Sequence, residues 1–297
     1  MRVNPNITAD ILTAIWQTQE QENTALQQVS TGRRVNVPSD DPAAAAALVG
    51  NLTSSAQTDQ YLKNTSNVEG MLQTADSTLS SVVSVLNQAI SLGVQGANGT
   101  LSASDQQGIA QQVIGIQSQI LQLANTSYQG IYIFAGTATT TAPFVADASQ
   151  PSGVAYNGNS GTNTVEIGTG RSVTVNIPGN QMFQGAGGDV MNSLQQLVTA
   201  LQSGDTTAIG SATTQLRTAF NYVTQQRVFY GNAVDQLNDN QTFLQSEKVS
   251  LSSQENDLVG VDLSKAATDL SQAEITHQAA LAAAAKVSQN TLLDYLK

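Results

Sequence analysis

Residues Ile209 to Leu258 read IGSATTQLRTAFNYVTQQRVFYGNAVDQLNDNQTFLQSEKVSLSSQENDL. Taken at intervals of seven, the stretch gives Ile209, Leu216, Val223, Tyr230, Leu237, Leu244, Leu251 and Leu258. All are apolar, in a segment otherwise dominated by Gln, Asn, Ser and Thr. An α-helix turns about every 3.6 residues, so a strict seven-residue repeat keeps to one face only if the helix supercoils around a partner. The interleaved positions Thr213, Phe220, Arg227, Val234, Gln241, Lys248 and Glu255 are only partly apolar, so the seam is narrow and its far end is wet. At about 1.5 Å rise per residue the helix is about 75 Å long. It cannot bury that seam alone, and another part of the chain or a neighbouring chain must face it.

The facing stripe is found upstream. Val68, Leu72, Ala75, Leu79, Val82, Leu86, Ala89 and Gly93 repeat at alternating steps of four and three. This helix begins at Asp41-Pro42, where Asp caps free N–H groups and Pro at the first helical position forfeits no hydrogen bond. Before it, Ile7, Ile11, Ala14, Ile15, Leu26 and Val29 mark the face of a first helix whose middle, residues 17–24, is almost wholly polar. Gly32 is placed to end that helix in the left-handed region, and Arg33 to Pro38 reads as an extended connector. After the Gly96–Gly99 turn, Ser102 to Asp105 forms a capping box with Asp in place of the usual Glu or Gln. A third helix follows, with Ile109, Val113, Ile116, Ile120 and Leu123 on one face.

Composition changes near Tyr128. From there to about Gly188, Gly, Thr, Asn and Pro dominate, with short strand-like runs at Ile131–Phe134, Thr164–Ile167 and Ser172–Ile177. A short helix over Asp189–Leu201 leads back to the long one. Gly260 interrupts that helix, Asp262 caps a new start, and the last face runs through Leu263, Ala266, Leu270, Ala273, His277, Ala280, Ala284 and Val287. The expected fold is mainly α: an elongated antiparallel coiled-coil rod with paired N- and C-terminal helices and a small β insertion. Its expected domains are 1–38 with 260–297, 39–129 with 189–259, and 130–188.

The net charge is -11 and the eleven basic residues are scattered, which argues against binding to nucleic acid or an anionic membrane. There are no cysteines, which excludes disulfides and thiolate metal sites. Charged residues are only 11%, too few for a charge-driven disordered chain. The opening Met1 to Asp10 lacks the basic and apolar regions of a cleaved secretory signal, and no uninterrupted apolar run approaches membrane-spanning length.

Several separated motifs carry a family resemblance. STGRRVNVPSDDP at Ser30–Pro42, ANGTLS at Ala97–Ser102, DLSQAE at Asp269–Glu274 and LLDYLK at Leu292–Lys297 are similar, in order, to signatures of the bacterial flagellin family. Within that family the opening Met1-Arg-Val, the stretch LANTSYQGIYIFAGT at Leu123–Thr137, Tyr156–Asn159 and VNIPGNQMF at Val175–Phe183 resemble members at the junction between hook and filament rather than filament flagellins. A short filament flagellin is the alternative. The resemblance implies a non-enzymatic structural subunit, without cofactor, exported unfolded through the flagellar channel and located outside the cell. It implies self-assembly with neighbouring subunits, contact with an adjoining hook-associated protein and with flagellin, and an export chaperone gripping the C-terminal region. The connector residues carried over from the family signature are Gly32, Arg33, Asn36, Pro38, Asp40, Asp41 and Pro42.

Other singled-out residues have simpler readings. His277 is the only histidine and, without cysteines, builds no usual zinc site. Trp16 reads first as a packing anchor, and Asp40-Asp41 as caps paired with Arg33 or Arg34 rather than catalytic carboxylates. Gly185–Gly188 lacks the Lys-Ser/Thr of a phosphate loop. A rival class keeps the same residues: a secreted enzyme or carbohydrate-binding module in 130–188 on a helical stalk, with Asp147, Glu166 and Asp189 as its acidic candidates. No nucleophile–base pair or metal spacing supports it.

Overall fold

The computed structural model describes the backbone of residues 7–295 and the side chains of residues 9–287. The opening Met1–Val3, the side chains of the closing motif Leu292–Lys297 and the Ile7 side chain lie outside those described parts. Three helices come first: α1 (Ile7–Thr31), α2 (Pro42–Gly96) and α3 (Ala103–Ala124). Then follow the strands β1 (Ser127–Tyr128), β2 (Ile131–Tyr132), β3 (Phe144–Ala146), β4 (Val154–Tyr156), β5 (Thr164–Gly168) and β6 (Arg171–Thr174). The chain continues through α4 (Gly179–Phe183), β7 (Gln184–Gly185), β8 (Gly188–Asp189), α5 (Val190–Ser203), α6 (Thr206–Val259) and α7 (Leu263–Tyr295). Among the described residues the protein is mainly α, with four small antiparallel sheets: β1–β2, β3–β4, β5–β6 and β7–β8.

The local signals act where the residues place them. Gly32 sits at φ +68 and ends α1 through a hydrogen bond from its N–H to the Gln28 carbonyl. The Asp41 carboxylate accepts from the Ala44 N–H at the start of α2. At α3 the capping box is complete: the Asp105 N–H donates to Ser102, and Asp105 accepts from the Ser102 N–H. Asp262 accepts from the N–H groups of Ser264 and Lys265 at the start of α7.

The chain forms two compact units, Gln60–Gln245 and the described parts of Met1–Asp59 with Ser246–Lys297. In the first, α2 and α6 run antiparallel. Thr65 meets Asn240, Asp76 takes Arg227 in a two-point ion pair at 3.0 and 3.1 Å, and Gly93 lies against Thr213. The stripe from Val68 to Ala89 is buried, as are Ile209, Leu216, Val223, Tyr230, Leu237 and Leu244. The same core takes in α3, α5 and residues of the hairpin region: Phe134, Phe144 and Phe183, stacked edge to face, belong to it, with Val173, Val175 and Ile177. Helix α2 is long and apolar enough over one stretch to meet a membrane-span criterion, but this stripe is committed to the core. Two glycines of α2 act as notches. A Cβ at Gly93 would fall 2.4 Å from the Thr213 hydroxyl, and one at Gly96 would fall 2.4 Å from a Leu201 methyl.

In the second unit the start of α2 packs against the end of α6. Asn51 donates to the Leu251 carbonyl at 3.1 Å, and Lys248 pairs with Asp59 at 2.6 Å. Val35, Ala44 and Val259 form a small core of their own. Helices α1 and α7 lie antiparallel, with α1 ending where α7 begins: the Val261 N–H donates to the Gly32 carbonyl, and Thr18 meets His277.

Several details differ from the sequence reading. The seam of α1 passes through Thr18, Glu22 and Ala25, while Ala14 and Leu26 are exposed; the heptad continues through polar residues that an apolar search skips. Leu263 is exposed and the α7 seam starts at Ala266. Strands β3 and β4 were not anticipated, nor were β7, β8 and α4. Each is only a few residues long, and a strand that short is fixed by its partner rather than by its own pattern.

Candidate assembly surface

The connector between α1 and α2 is held by charge-assisted hydrogen bonds. Arg33 pairs with Glu255, and its backbone bridges to Gly260. Arg34 pairs with Asp41 at 3.1 Å and donates to the Leu258 carbonyl at 3.0 Å. Asp40 takes no arginine; its Oδ2 accepts from the N–H groups of Asn36 and Val37 at 2.9 and 3.0 Å. Of the signature residues, Asn36 also donates to the Arg33 carbonyl and accepts from the Thr31 hydroxyl. The Val37 and Asn36 amides hold the Asp40 carboxyl below its ordinary value. The Ala44 amide, with Arg34 beside it, does the same for Asp41. The expected pairing of these acids with Arg33 or Arg34 therefore holds for Asp41 and not for Asp40.

The α1–α7 seam mixes aliphatic residues with alanines and polar groups. Ile11, Ile15, Thr18, Glu22, Ala25 and Val29 turn inward from α1. Ala266, Leu270, Ala273, His277, Ala280, Ala284 and Val287 do so from α7. The Thr18 hydroxyl lies 2.9 Å from the Ile15 carbonyl, to which it donates, and 3.0 Å from His277 Nδ1, a polar contact that joins the two helices. Near Ala25 and Ala273 the seam opens into a polar groove of about 770 Å³ lined by Gln17, Gln21, Gln28 and Gln272.

Several large apolar groups of this helix pair point away from the seam. On α1, Leu12, Trp16 and Leu26 are exposed, Trp16 by 72%. On α7, Leu263, Ile275 and Leu281 are exposed. Trp16 is therefore not a packing anchor within the chain. Sequence reasoning missed Leu12, Ile275 and Leu281. The signal was present at Leu12 and Trp16, four residues apart and off the inward heptad, and it went unused because one helix face had already been assigned.

The eight heptad residues divide between the units. Ile209 to Leu244 are buried, whereas Leu251 and Leu258, in the unit with the chain ends, are partly exposed. The acidic residues of the rival enzyme reading have structural work. Asp147 accepts from the Ser149 hydroxyl and N–H, which hold its carboxyl below the usual range. Glu166 accepts from the Tyr61 hydroxyl at 3.3 Å. Asp189 caps α5 through the Asn192 N–H, and burial raises its carboxyl above the usual range.

Known proteins match this chain over both of its long helical regions. The family model of the bacterial flagellin N-terminal helical region matches residues 3–139, and that of the C-terminal helical region matches residues 213–296. The chain is 35% identical over 158 residues to flagellar hook-associated protein 3 of Escherichia coli, covering 53% of this chain and 48% of that protein. It is 23% identical over 292 residues to the flagellin of Listeria innocua, covering 97% and 96%. A solved structure described as a putative flagellar hook-associated protein from Vibrio parahaemolyticus superposes with a TM-score of 0.69 at 21% identity, covering 74% of this chain and 100% of that one. The match to the hook-associated protein spans about half of that relative's length. With both helical regions matched in order at the two ends of the sequence, the chain belongs to the bacterial flagellin family.

Proposed function

We propose that this chain is a structural, non-enzymatic subunit of the bacterial flagellum that forms the junction between hook and filament. One observation carries the assembly role: Trp16, Leu12 and Ile275 face solvent, while α1 and α7 pack through a seam that mixes alanines and polar groups with a few aliphatic residues. An exposed apolar set of this kind marks a surface meant for a partner. Neighbouring subunits of the same chain would cover it, with the two terminal helical segments, 1–38 and 260–297, lining a tube. Residues 39–129 with 189–259 would form the next shell, and 130–188 its displayed surface. The likeness to hook-associated protein 3 supports the junction position, outside the cell, between a second hook-associated protein and flagellin. Export through the flagellar channel with a chaperone on the C-terminal region completes the reading.

The near full-length likeness to a Listeria flagellin supports a second reading, a short filament subunit. Deleting the gene separates the two. A junction subunit leaves cells with hooks that shed intact filament protein into the medium; a filament subunit leaves hooks and no such protein. Re-expressed Trp16→Asp should be exported and keep the melting temperature of the wild type, yet fail to restore filaments. Full restoration by that variant would overturn the assigned surface.

A further inference from the structure

Two Asn-Gly dipeptides occur in the chain, Asn98-Gly99 and Asn157-Gly158, and both asparagines are exposed. The sequence gives them the same intrinsic chemistry, since a glycine leaves the attack of its backbone nitrogen on the preceding side-chain amide unhindered. The fold treats them differently. Asn98 opens the turn between α2 and α3, where the Leu101 N–H donates to its carbonyl at 3.2 Å. Its Oδ1 accepts two further bonds, from the Thr100 N–H at 3.2 Å and the Thr100 hydroxyl at 2.9 Å. A Cβ placed on Gly99 meets nothing within 4 Å beyond its chain neighbours, so no other part of the chain crowds this residue.

At the second dipeptide the backbone is clamped. The Asn157 N–H donates to the Pro143 carbonyl at 2.7 Å and the Asn159 N–H to the Ala135 carbonyl at 3.1 Å. A Cβ on Gly158 would lie 2.5 Å from the Tyr156 ring and 2.8 Å from the Ala135 oxygen. Among the described residues no hydrogen-bond donor reaches the Asn157 side-chain oxygen.

We propose that Asn98 is a self-modifying site, converted by its own turn to aspartate and isoaspartate, and that Asn157 is protected. The Gly99 amide nitrogen gives its proton to solvent base and bonds to Asn98 Cγ. The negative charge that develops falls on Oδ1, where the two Thr100 donors already point, as in an oxyanion hole. The Cγ–Nδ2 bond then breaks, and Nδ2 takes a proton from solvent and leaves as ammonia. Water opens the resulting five-membered imide at either carbonyl. One opening gives aspartate; the other gives isoaspartate, whose main chain runs through the former side-chain methylene. Either product adds one negative charge to the turn, and the second lengthens the link between α2 and α3 just before Leu101, which packs on the core.

The test is peptide mapping of the purified full-length protein during ageing in mildly alkaline buffer, with enzymatic methylation of isoaspartate as a second readout. Asn98 should convert several-fold faster than Asn157. Thr100→Val keeps the backbone N–H, removes the hydroxyl donor and should slow conversion at Asn98 several-fold. Gly99→Ala, for which the turn has room, should nearly abolish it. In concentrated urea the two sites should convert at similar rates. Equal rates in the folded protein, an unchanged rate in Thr100→Val, or a difference that persists in urea would each overturn the proposal.

Discussion

Shortening Leu237 to alanine tests whether the heptad seam is what holds α2 to α6. Leu237 is fully buried within the large core, and its position on the seven-residue repeat puts it opposite the α2 stripe. Removing a buried leucine side chain costs its transfer energy and leaves a cavity that the surrounding helices fill only in part. Such replacements cost about 2–5 kcal/mol, and about 3 kcal/mol is the central expectation for a site packed between two long helices. For a unit of about 150–250 residues each kcal/mol moves the midpoint by about 2–4 °C, so Leu237→Ala should lower it by about 6–12 °C. The comparison variant lies on the same helix. Val228 is 57% exposed, and Val228→Ala should cost less than about 0.5 kcal/mol, a shift of no more than about 2 °C. Scanning calorimetry of the full chain reads both, using the transition assigned to residues 60–245 by its loss of near-ultraviolet dichroism. Similar small shifts in the two variants would mean that the repeat does not carry the packing, and the account of the fold would fail with it.

Two further expectations follow from the unit that holds the chain ends. In the isolated subunit α1 and α7 should be cleaved by a protease well before residues 60–245, because a seam that is only partly buried and rich in small and polar groups buries little area per ordered residue; equal resistance of both units would contradict this. The second concerns acid. Backbone N–H groups hold the Asp40 and Asp41 carboxyls below their ordinary value of 3.8, so both bind protons more weakly folded than unfolded. Their stabilisation of the connector is then complete above the unfolded value and is lost as pH falls through the lower folded values. Amide resonances of Val37 and Ala44 followed by NMR should titrate with midpoints below 3.8, and Asp40→Asn should remove the Val37 titration; a midpoint at or above 3.8 would refute the assignment.

What the sequence made legible was local or periodic. The Ser102–Asp105 box, Gly32, Asp41-Pro42 and Asp262 each act on backbone groups within a few residues, and each stands where it was expected. The seam from Ile209 to Leu244 was legible because one face repeats over many turns. The seam of α1 was harder to read. Its inward positions Thr18 and Glu22 look like surface residues, and its exposed Trp16 looks like core. That inversion is what the proposed assembly surface would leave in the sequence. The hairpins were least legible. Phe144 is placed by Tyr156 across β3–β4 and by Phe183 beyond the next hairpin, contacts between residues far apart in sequence. The structural partners of Asp147, Glu166 and Asp189, the carboxylates of the rival reading, became visible only in the fold.

The missing side chain at Gly93 makes α2 and α6 behave like a key and its wards. A uniform heptad is indifferent to sliding by one repeat, since every apolar residue finds another apolar residue waiting. Here a slide of seven in one direction brings Leu86 to the place of Gly93. Its Cβ would then stand 2.4 Å from the Thr213 hydroxyl. A slide the other way brings Thr100, which lies beyond the end of α2 at Gly96 and has no helical backbone to offer. One wrong alignment is thus opposed by shape and the other by the contacts it forfeits. The notch gives the chain a reason, beyond its apolar repeat, to return to one register of these two helices after its tertiary structure is lost.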